Sequence, residues 1–272
     1  MQQETLRLGV VNYLNASPLI DGISSIEGIK LIHKVPSELV GCLERDEVDF
    51  ALASSIDYQK SKHEFSIMPV GVLSSEGETL TVRLCSQIPL EQITEVHCDI
   101  DSHTSIALLQ IVLQKKYGVR PNIISCDVNS LNKDESKWAE AVLMIGDKVV
   151  TSLIGTKYPI QLDLGEAWAE QTGLPFVFAM WFGEQDISST SVHRASIVLD
   201  RQRRCNALRL EQVVSEHARS RGWDVDLAFR YVTNHIQYAF TKPHKESLEL
   251  FFELSASLGI LDEVVPLRFY TS

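Results

Sequence analysis

The chain has 272 residues, of which 44% are hydrophobic and 22% are charged, ordinary proportions for a globular protein. This length fits one large domain or two modest ones, and the composition excludes a fully disordered or collagen-like chain. With 25 Lys and Arg residues against 36 Asp and Glu, the formal net charge is −11. An acidic surface repels phosphate backbones and anionic lipids, so we predict no nucleic-acid and no membrane partner.

The cysteines and the first residues indicate the compartment. The five cysteines are odd in number and scattered, and no C-x-x-C pair occurs, so neither a disulfide framework nor a zinc knuckle is predicted. The opening MQQETLRLGVV does not have the basic and apolar regions of a signal peptide, and no stretch approaches 18 apolar residues. We therefore predict a soluble protein of a reducing compartment, by default the cytoplasm.

The first third of the chain alternates strands with helix starts. The predicted strands are Leu6–Val11, Lys30–Val35 and Val48–Ala53. Helices are predicted to open at Pro18, with the Ser17 hydroxyl as a cap, and at Pro36, because the first helical position needs no N–H donor. This alternation predicts a parallel or mixed sheet of the α/β class.

The pattern then repeats around a second core and ends in helices. Further strands are predicted over Thr79–Ser86, Glu95–Cys98, Asn122–Ser125, Ala141–Ile145 and Phe176–Trp181, and helices over Ser102–Tyr117, Arg201–Arg221, Asp226 to about Gln237, and Pro243–Leu258. We therefore predict two lobes, residues 1–84 plus 182–272 and residues 85–181, with crossings near 82–88 and 176–184. A cleft between two lobes is a common place for a small-molecule site.

Two predicted helix starts are candidate anion sites, because free backbone amides and the helix dipole favour negative charge. The first carries Tyr13, Asn15 and Ser17, whose side chains can donate and accept hydrogen bonds; the simpler interpretation is a polar turn with a helix cap. The second carries Ser102, Thr104 and Ser105, whose hydroxyls suit a carboxylate.

Two further features bear on ligands. Asp99, Asp101 and His103 include oxygen and nitrogen ligands for a metal, but only the two carboxylates would share a strand face, so we predict no metal. At the next strand end, Gly146 makes the turn, and Asp147 either caps the following helix or orients a ligand hydroxyl. The chain has no P-loop, G-x-G-x-x-G or G-x-S-x-G motif, and no cofactor is predicted.

Seven segments stand in a fixed order over residues 6–181. They are GVVNYLNASPL at 9–19, VPSEL at 35–39, VDFALASSIDY at 48–58, SSEGETLTV at 74–82, DSHTSIALL at 101–109, LMIGDKVV at 143–150 and DLGEAWAEQTGLPFVFAMW at 163–181. As a set they resemble the MqnA family, the chorismate dehydratases of the futalosine route to menaquinone. The resemblance implies a type II periplasmic-binding-protein fold used as a cytoplasmic lyase. Its substrate would be chorismate, which loses water to give 3-[(1-carboxyvinyl)oxy]benzoate.

The resemblance also implies roles for individual residues. Asn15 matches the active-site Asn of the family's L-N-x-x-P motif, and Thr81 stands where the family usually has an active-site Ser. Thr104 and Ser105 match a Thr-Ser pair expected to hold a substrate carboxylate. We hypothesise that the substrate's own enolpyruvyl carboxylate takes the ring proton while Asn15 and Thr81 position the ring and hydroxyl. Asp147 is the second candidate for the base.

The chain departs from the family at three positions: His103 stands where Arg is usual, Thr79 stands where Val is usual, and Arg83 adds a charge after Thr81. The sibling MqnD family of cyclases carries a catalytic His-Glu where this chain has Gly146 and Asp147, which favours the dehydratase. The sequence is also compatible with a non-catalytic carboxylate-binding or sensor protein, and with the effector domain of a transcription regulator. It does not indicate the oligomeric state.

Overall fold

The computed structural model describes residues 5–99, 101–128, 138–152 and 155–271. The strands of this part are β1 (Leu6–Val10), β2 (Ile29–His33), β3 (Phe50–Ser54), β4 (Phe65–Ser75), β5 (Val82–Ser86), β6 (Glu95–Asp99), β7 (Asn122–Cys126), β8 (Ala141–Ile145), β9 (Ile160–Asp163) and β10 (Phe176–Glu184). They form two mixed, five-stranded sheets.

The helices connect and cover these sheets. The α-helices are α1 (Ser17–Ile20), α2 (Pro36–Glu44), α3 (Asp57–Lys60), α4 (His103–Val112), α5 (Lys148–Thr151), α6 (Leu164–Thr172), α7 (Ser189–Leu208), α8 (Leu210–Ser220), α9 (Val225–Arg230) and α10 (Lys242–Ser257). Short 3-10 turns lie at Leu14–Ala16, Ile23–Ser25, Leu90–Gln92 and Gly155–Lys157, and π-helical turns at Leu113–Tyr117 and Tyr231–His235. No helix in this part of the chain is both long and apolar enough to cross a membrane.

The two sheets share one pattern of connections. The first has the order β2-β1-β3-β10-β4, with β1 parallel to both neighbours and β10 antiparallel to both of its own. The second has the order β7-β6-β8-β5-β9, with β6 parallel to its neighbours and β5 antiparallel to its own. The predicted α/β class with a mixed sheet is confirmed.

The sheets differ from the predicted division of the chain. β5 pairs wholly within the second sheet and β10 wholly within the first, so the predicted boundaries after residues 84 and 181 each cut through a strand. The chain crosses between the sheets over residues 76–81 and again through α6. The reason is that β10 is buried on both faces, and an unbroken apolar run does not tell which sheet it joins.

The elements after residue 185 also differ from the prediction in detail. The predicted helix Arg201–Arg221 is wrong: α7 begins twelve residues earlier, at Ser189, and Arg209 (φ −126°, ψ 30°) separates it from α8. These helices pack against α1, and α7 also contacts β4 of the first sheet. Trp168 and Trp181 are fully buried in the core.

Candidate functional site

A cavity of about 590 Å³, counting its open mouth, lies between the two sheets. It forms at the carboxyl ends of the parallel strands, where ligands bind in open α/β sheets. Six of the predicted site residues line it: Tyr13, Asn15, Thr81, Ser102, Ser105 and Gly146. The other lining residues are Val11, Pro36, Ser54, Leu73, Thr79, Val82, Ile145, Phe178, Ala179 and Ile236. Both sheets therefore contribute polar groups to one cavity.

The segment after β1 places Asn15 in the wall. Leu14–Ala16 form a 3-10 turn, and the Asn15 Oδ1 atom is buried with no hydrogen-bond partner in the described structure. A buried acceptor without a partner is costly, so this oxygen is available to a ligand donor. Ser17 differs from its prediction: it is the first residue of α1 rather than the cap, it is buried, and it does not line the cavity.

The start of α4 supplies the hydroxyls of the opposite wall. Ser102 caps the helix by accepting a hydrogen bond from the Ser105 amide at 3.3 Å, and the two hydroxyls lie 3.0 Å apart. Thr104 does not line the cavity. Its Oγ1 accepts a hydrogen bond from the Ile56 amide at 3.1 Å and lies 3.4 Å from the Ser55 hydroxyl. Thr104 thus connects α4 of the second sheet to the loop that follows β3 of the first sheet.

A strained turn presents Thr81 to the cavity. Leu80 has a φ of 63°, which is uncommon for a residue with a side chain. The buried carboxylate of Asp163 holds this turn: it accepts hydrogen bonds from the amides of Thr79 and Leu80, both at 2.9 Å, and from the Thr79 hydroxyl. The same carboxylate caps α6. Burial raises the pKa of Asp163, and these hydrogen bonds oppose that shift. Strain of this kind concentrates at functional sites.

Gly146 allows the two sheets to approach each other. Its φ is 72°, and a Cβ atom there would lie 2.9 Å from the Tyr13 ring. Its amide donates to the Thr81 carbonyl at 2.9 Å. A side chain at this position would push the tyrosine out of the wall, so glycine is required by both backbone and space.

The charged residues lie beside the cavity rather than in its wall. Asp147 accepts a hydrogen bond from the Leu14 amide at 3.3 Å, and its carboxylate is 3.8 Å from the Arg221 guanidinium. Burial raises the pKa of Asp147, whereas the hydrogen bond from the Leu14 amide and the charge of Arg221 lower it. Asp147 does not line the cavity.

The residues considered as metal ligands have other partners. Lys148 forms ion pairs with the buried Asp99 and, at 3.0 Å, with Asp101; His103 Nδ1 is 2.8 Å from Asp57. Across the described residues, no three His, Cys, Asp or Glu side chains group as a metal would require. Ile100, between the two carboxylates, lies outside the described residues.

Sequence reasoning missed part of the wall. Ser54 and Phe178 come from β3 and β10, and Ile236 follows a π-helical turn far along the chain. Only the apolar run of β10 gave a signal, and it indicated burial rather than a site. Tyr231 was also missed, although its hydroxyl lies 2.8 Å from Thr81 Oγ1. These residues reach the cavity or Thr81 from parts of the chain that are distant in sequence.

Comparison with known proteins decides the family. A family model described as menaquinone biosynthesis matches residues 6–257. The chain belongs to the menaquinone-biosynthesis family. A curated relative from Thermus thermophilus, named chorismate dehydratase, is 28% identical over 262 residues, which cover 90% of this chain and 93% of the relative.

Solved structures show the fold of this family member. Protein AF1704 from Archaeoglobus fulgidus superposes with a TM-score of 0.79 at 14% identity, over 96% of this chain and all of that one. The Candida albicans CA3427 product, described as having the generic periplasmic-binding-protein fold, gives 0.66 at 11% identity, over 97% and 92% of the two chains. The periplasmic aliphatic sulphonate binding protein SsuA of Escherichia coli gives 0.66 at 11%, over 100% and 95%. The predicted periplasmic-binding-protein-like fold is confirmed.

Proposed function

We propose that this chain is a chorismate dehydratase, a hydro-lyase that converts chorismate to 3-[(1-carboxyvinyl)oxy]benzoate in menaquinone biosynthesis. One observation carries the proposal: Asn15, after β1 of the first sheet, shares a cavity with Thr81, Ser102 and Ser105 of the second. The family and the name of the Thermus relative support the same activity. We also propose that the enzyme works in the cytoplasm.

Chorismate is a dianion, and the protein has a net charge of −11. Within the described residues, no Lys or Arg lines the cavity. Hydrogen-bond donors must therefore hold the carboxylates, and the Ser102 and Ser105 hydroxyls at the start of α4 suit this task because the helix dipole favours an anion there. The apolar side chains of Leu73, Phe178 and Ile236 would cover the ring and exclude water.

The chemistry needs a base for a ring hydrogen and a way to release the ring hydroxyl. Tyr13 is the one ionisable side chain among the described lining residues, and burial together with Asp101 raises its pKa, so it stays a neutral phenol. We therefore assign the base to the enolpyruvyl carboxylate of the substrate. It takes the proton from the ring carbon, the C–H electron pair becomes the ring double bond, and the C–O bond to the hydroxyl breaks. The proton and the hydroxide leave together as water, and the carboxylate is restored.

In this scheme Asn15 and Thr81 act on the departing hydroxyl. The buried Asn15 Oδ1 can accept the hydroxyl hydrogen in the bound substrate, and the Thr81 hydroxyl can donate to the oxygen as negative charge develops on it. Donors placed where charge develops contribute more to the transition state than to the ground state. Because aromatisation supplies the driving force, orientation is the main task of the protein.

The test is turnover of chorismate by the purified protein, followed by aromatic absorbance and by mass spectrometric detection of the product that has lost water, against an enzyme-free blank. Asn15→Ala is expected to reduce kcat by at least about 100-fold. Asn122→Ala, which changes an exposed asparagine at the start of β7, is the matched control and should retain full activity.

Three results would contradict parts of this assignment. A wild-type protein that binds chorismate but forms no product would favour a carboxylate-binding protein without catalysis. Product formation by Asn15→Ala at the wild-type rate would remove Asn15 from the mechanism. An Asp147→Asn variant that binds chorismate but is inactive would make Asp147 the base.

A further inference from the structure

The hydroxyl of Tyr231 lies directly behind the cavity wall. It is 2.8 Å from Thr81 Oγ1, which is hydrogen-bonding distance. Tyr231 is 1% exposed and does not line the cavity itself. One buried phenol therefore contacts a side chain that the proposed reaction uses, although it lies 150 residues beyond Thr81 in the sequence.

The fold holds this phenol firmly. Tyr231 begins a π-helical turn that follows α9, and such turns are frequent at functional sites. Its ring stacks on Trp223, with ring centroids 5.0 Å apart and planes 16° from parallel. Since the ring is fixed by packing, the position of its hydroxyl is fixed as well.

The hydrogen bond between Tyr231 and Thr81 has a preferred direction. Burial raises the pKa of Tyr231 far above its usual value, so the group is a neutral phenol that has a hydrogen to donate. A phenol is a stronger donor than an aliphatic hydroxyl, so we assign the phenol hydrogen to Thr81 Oγ1, 2.8 Å away. Among the described residues, the Thr81 hydroxyl can then donate only over a long contact, 3.4 Å to the Thr79 carbonyl oxygen, and it can turn into the cavity instead.

We propose that Tyr231 is a positioning residue that turns the Thr81 hydroxyl hydrogen toward the departing hydroxyl of the substrate. The inference rests on the proposed function and adds a residue that does not touch the substrate. Without the phenol hydroxyl, the Thr81 hydroxyl can turn its hydrogen toward the Thr79 carbonyl oxygen, so that donation to the substrate is only one of its arrangements.

A double-mutant cycle tests this role. Tyr231→Phe keeps the ring and its stacking on Trp223, and we expect it to lower kcat about tenfold while KM changes less than about threefold. Thr81→Val removes the group through which Tyr231 acts, so adding Tyr231→Phe to it should change kcat less than about twofold. Tyr238→Phe is the matched control. The Tyr238 hydroxyl is also buried but has no hydrogen-bond partner in the described structure, so its loss should leave kcat unchanged.

The outcomes separate this inference from the proposed function. A wild-type protein without dehydratase activity would overturn both. An active wild type whose Tyr231→Phe variant keeps its kcat would overturn the positioning role alone, as would a tenfold loss that persists in the Thr81→Val background. If Tyr231→Phe unfolds at the assay temperature, its kcat is measured at a lower temperature at which circular dichroism shows it folded, against wild type under the same conditions.

Discussion

The inner wall of the cavity and the contacts just outside it differ in charge. The inner wall, formed by Asn15, Thr81, Ser102 and Ser105, is neutral and offers hydroxyls and an amide. Just outside it, Lys148 lies between Asp99 and Asp101, and Tyr13 donates to Asp101 at 3.3 Å. These ion pairs and this hydrogen bond we name the outer contacts. This difference indicates two separable tasks: the ion pairs of Lys148 hold the second sheet's loops in place, and in the proposed function the neutral wall binds the substrate.

The largest expected effect is on stability, from Lys148→Met. This change leaves Asp99, which is 1% exposed, as a buried charge without its cation, so we expect the free energy of unfolding to fall by about 3 kcal/mol. Lys242→Met is the matched control, because that side chain is 87% exposed in its pair with Glu246 and should cost less than about 1 kcal/mol. Urea denaturation measures both. A kcat of the folded Lys148→Met variant lower than wild type by more than about threefold would break the separation of tasks.

The reverse pattern is expected for Thr81→Val in the inner wall. We expect kcat to fall about 100-fold, because a donor to the departing hydroxyl is lost, while the free energy of unfolding falls by no more than about 1–2 kcal/mol for the unpaired Tyr231 phenol. Thr81→Ser keeps the hydroxyl and should keep most of the activity. Chorismate turnover and urea denaturation of the same preparations give both numbers. Equal activity of the Val and Ser variants would show that the hydroxyl has no part in the reaction.

A smaller effect is expected where wall and outer contacts meet, at Gly146. Gly146→Ala costs the strain of an alanine at φ 72° and also the displacement of the Tyr13 ring, together about 2 kcal/mol. Gly173→Ala, at φ 68° with no atom within 4 Å of the added Cβ, should cost only the backbone strain, about 1 kcal/mol. KM should rise for Gly146→Ala alone. Equal stabilities and KM values for the two variants would mean that Tyr13 does not depend on this glycine.

The smallest expected effect is at His244, which does not line the cavity. Burial lowers the pKa of this histidine from its ordinary 6.5, and its ring is hydrogen-bonded to Thr241 and to Ser74. As the pH falls below about 6.5, the unfolded chain therefore binds a proton that the folded chain does not, and stability decreases. Thermal unfolding at pH 7.5 and 5.5 should show a lower midpoint at pH 5.5, and a smaller difference for His244→Asn. The same difference in both proteins would assign the pH dependence to other groups, such as His33, whose pKa is also lowered by burial.

The sequence predicts where the strands lie better than it predicts which strands pair. β1, β2 and β3 lie close to their predicted ranges because apolar runs and proline helix starts are local signals. β4 was not predicted, since Pro69 and Gly71 interrupt its pattern, yet β4 is an edge strand that tolerates a proline. The break between α7 and α8 at Arg209 carries no glycine or proline signal.

The candidate site shows the same limit. Asn15, Thr81, Ser102 and Ser105 were predicted from their neighbours in sequence and from the family resemblance, and the cavity brings them together. Thr104, one residue away, turns to Ile56 instead, and which hydroxyl of a helix start faces the cavity depends on how the helix sits on the sheet. Tyr231 and Asp163 act through contacts across 150 and 84 residues, which no local pattern encodes.

The most direct test of the proposed dehydratase site is a crystal structure of the protein with the product, 3-[(1-carboxyvinyl)oxy]benzoate. We predict that the aromatic ring lies against Phe178 and that a carboxylate lies within about 3.2 Å of the Ser102 or Ser105 hydroxyl. The ring carbon that loses its hydroxyl would face Asn15 and Thr81. A product bound elsewhere, for instance in the surface groove between Val70 and Ile197, with this cavity filled only by solvent, would contradict it.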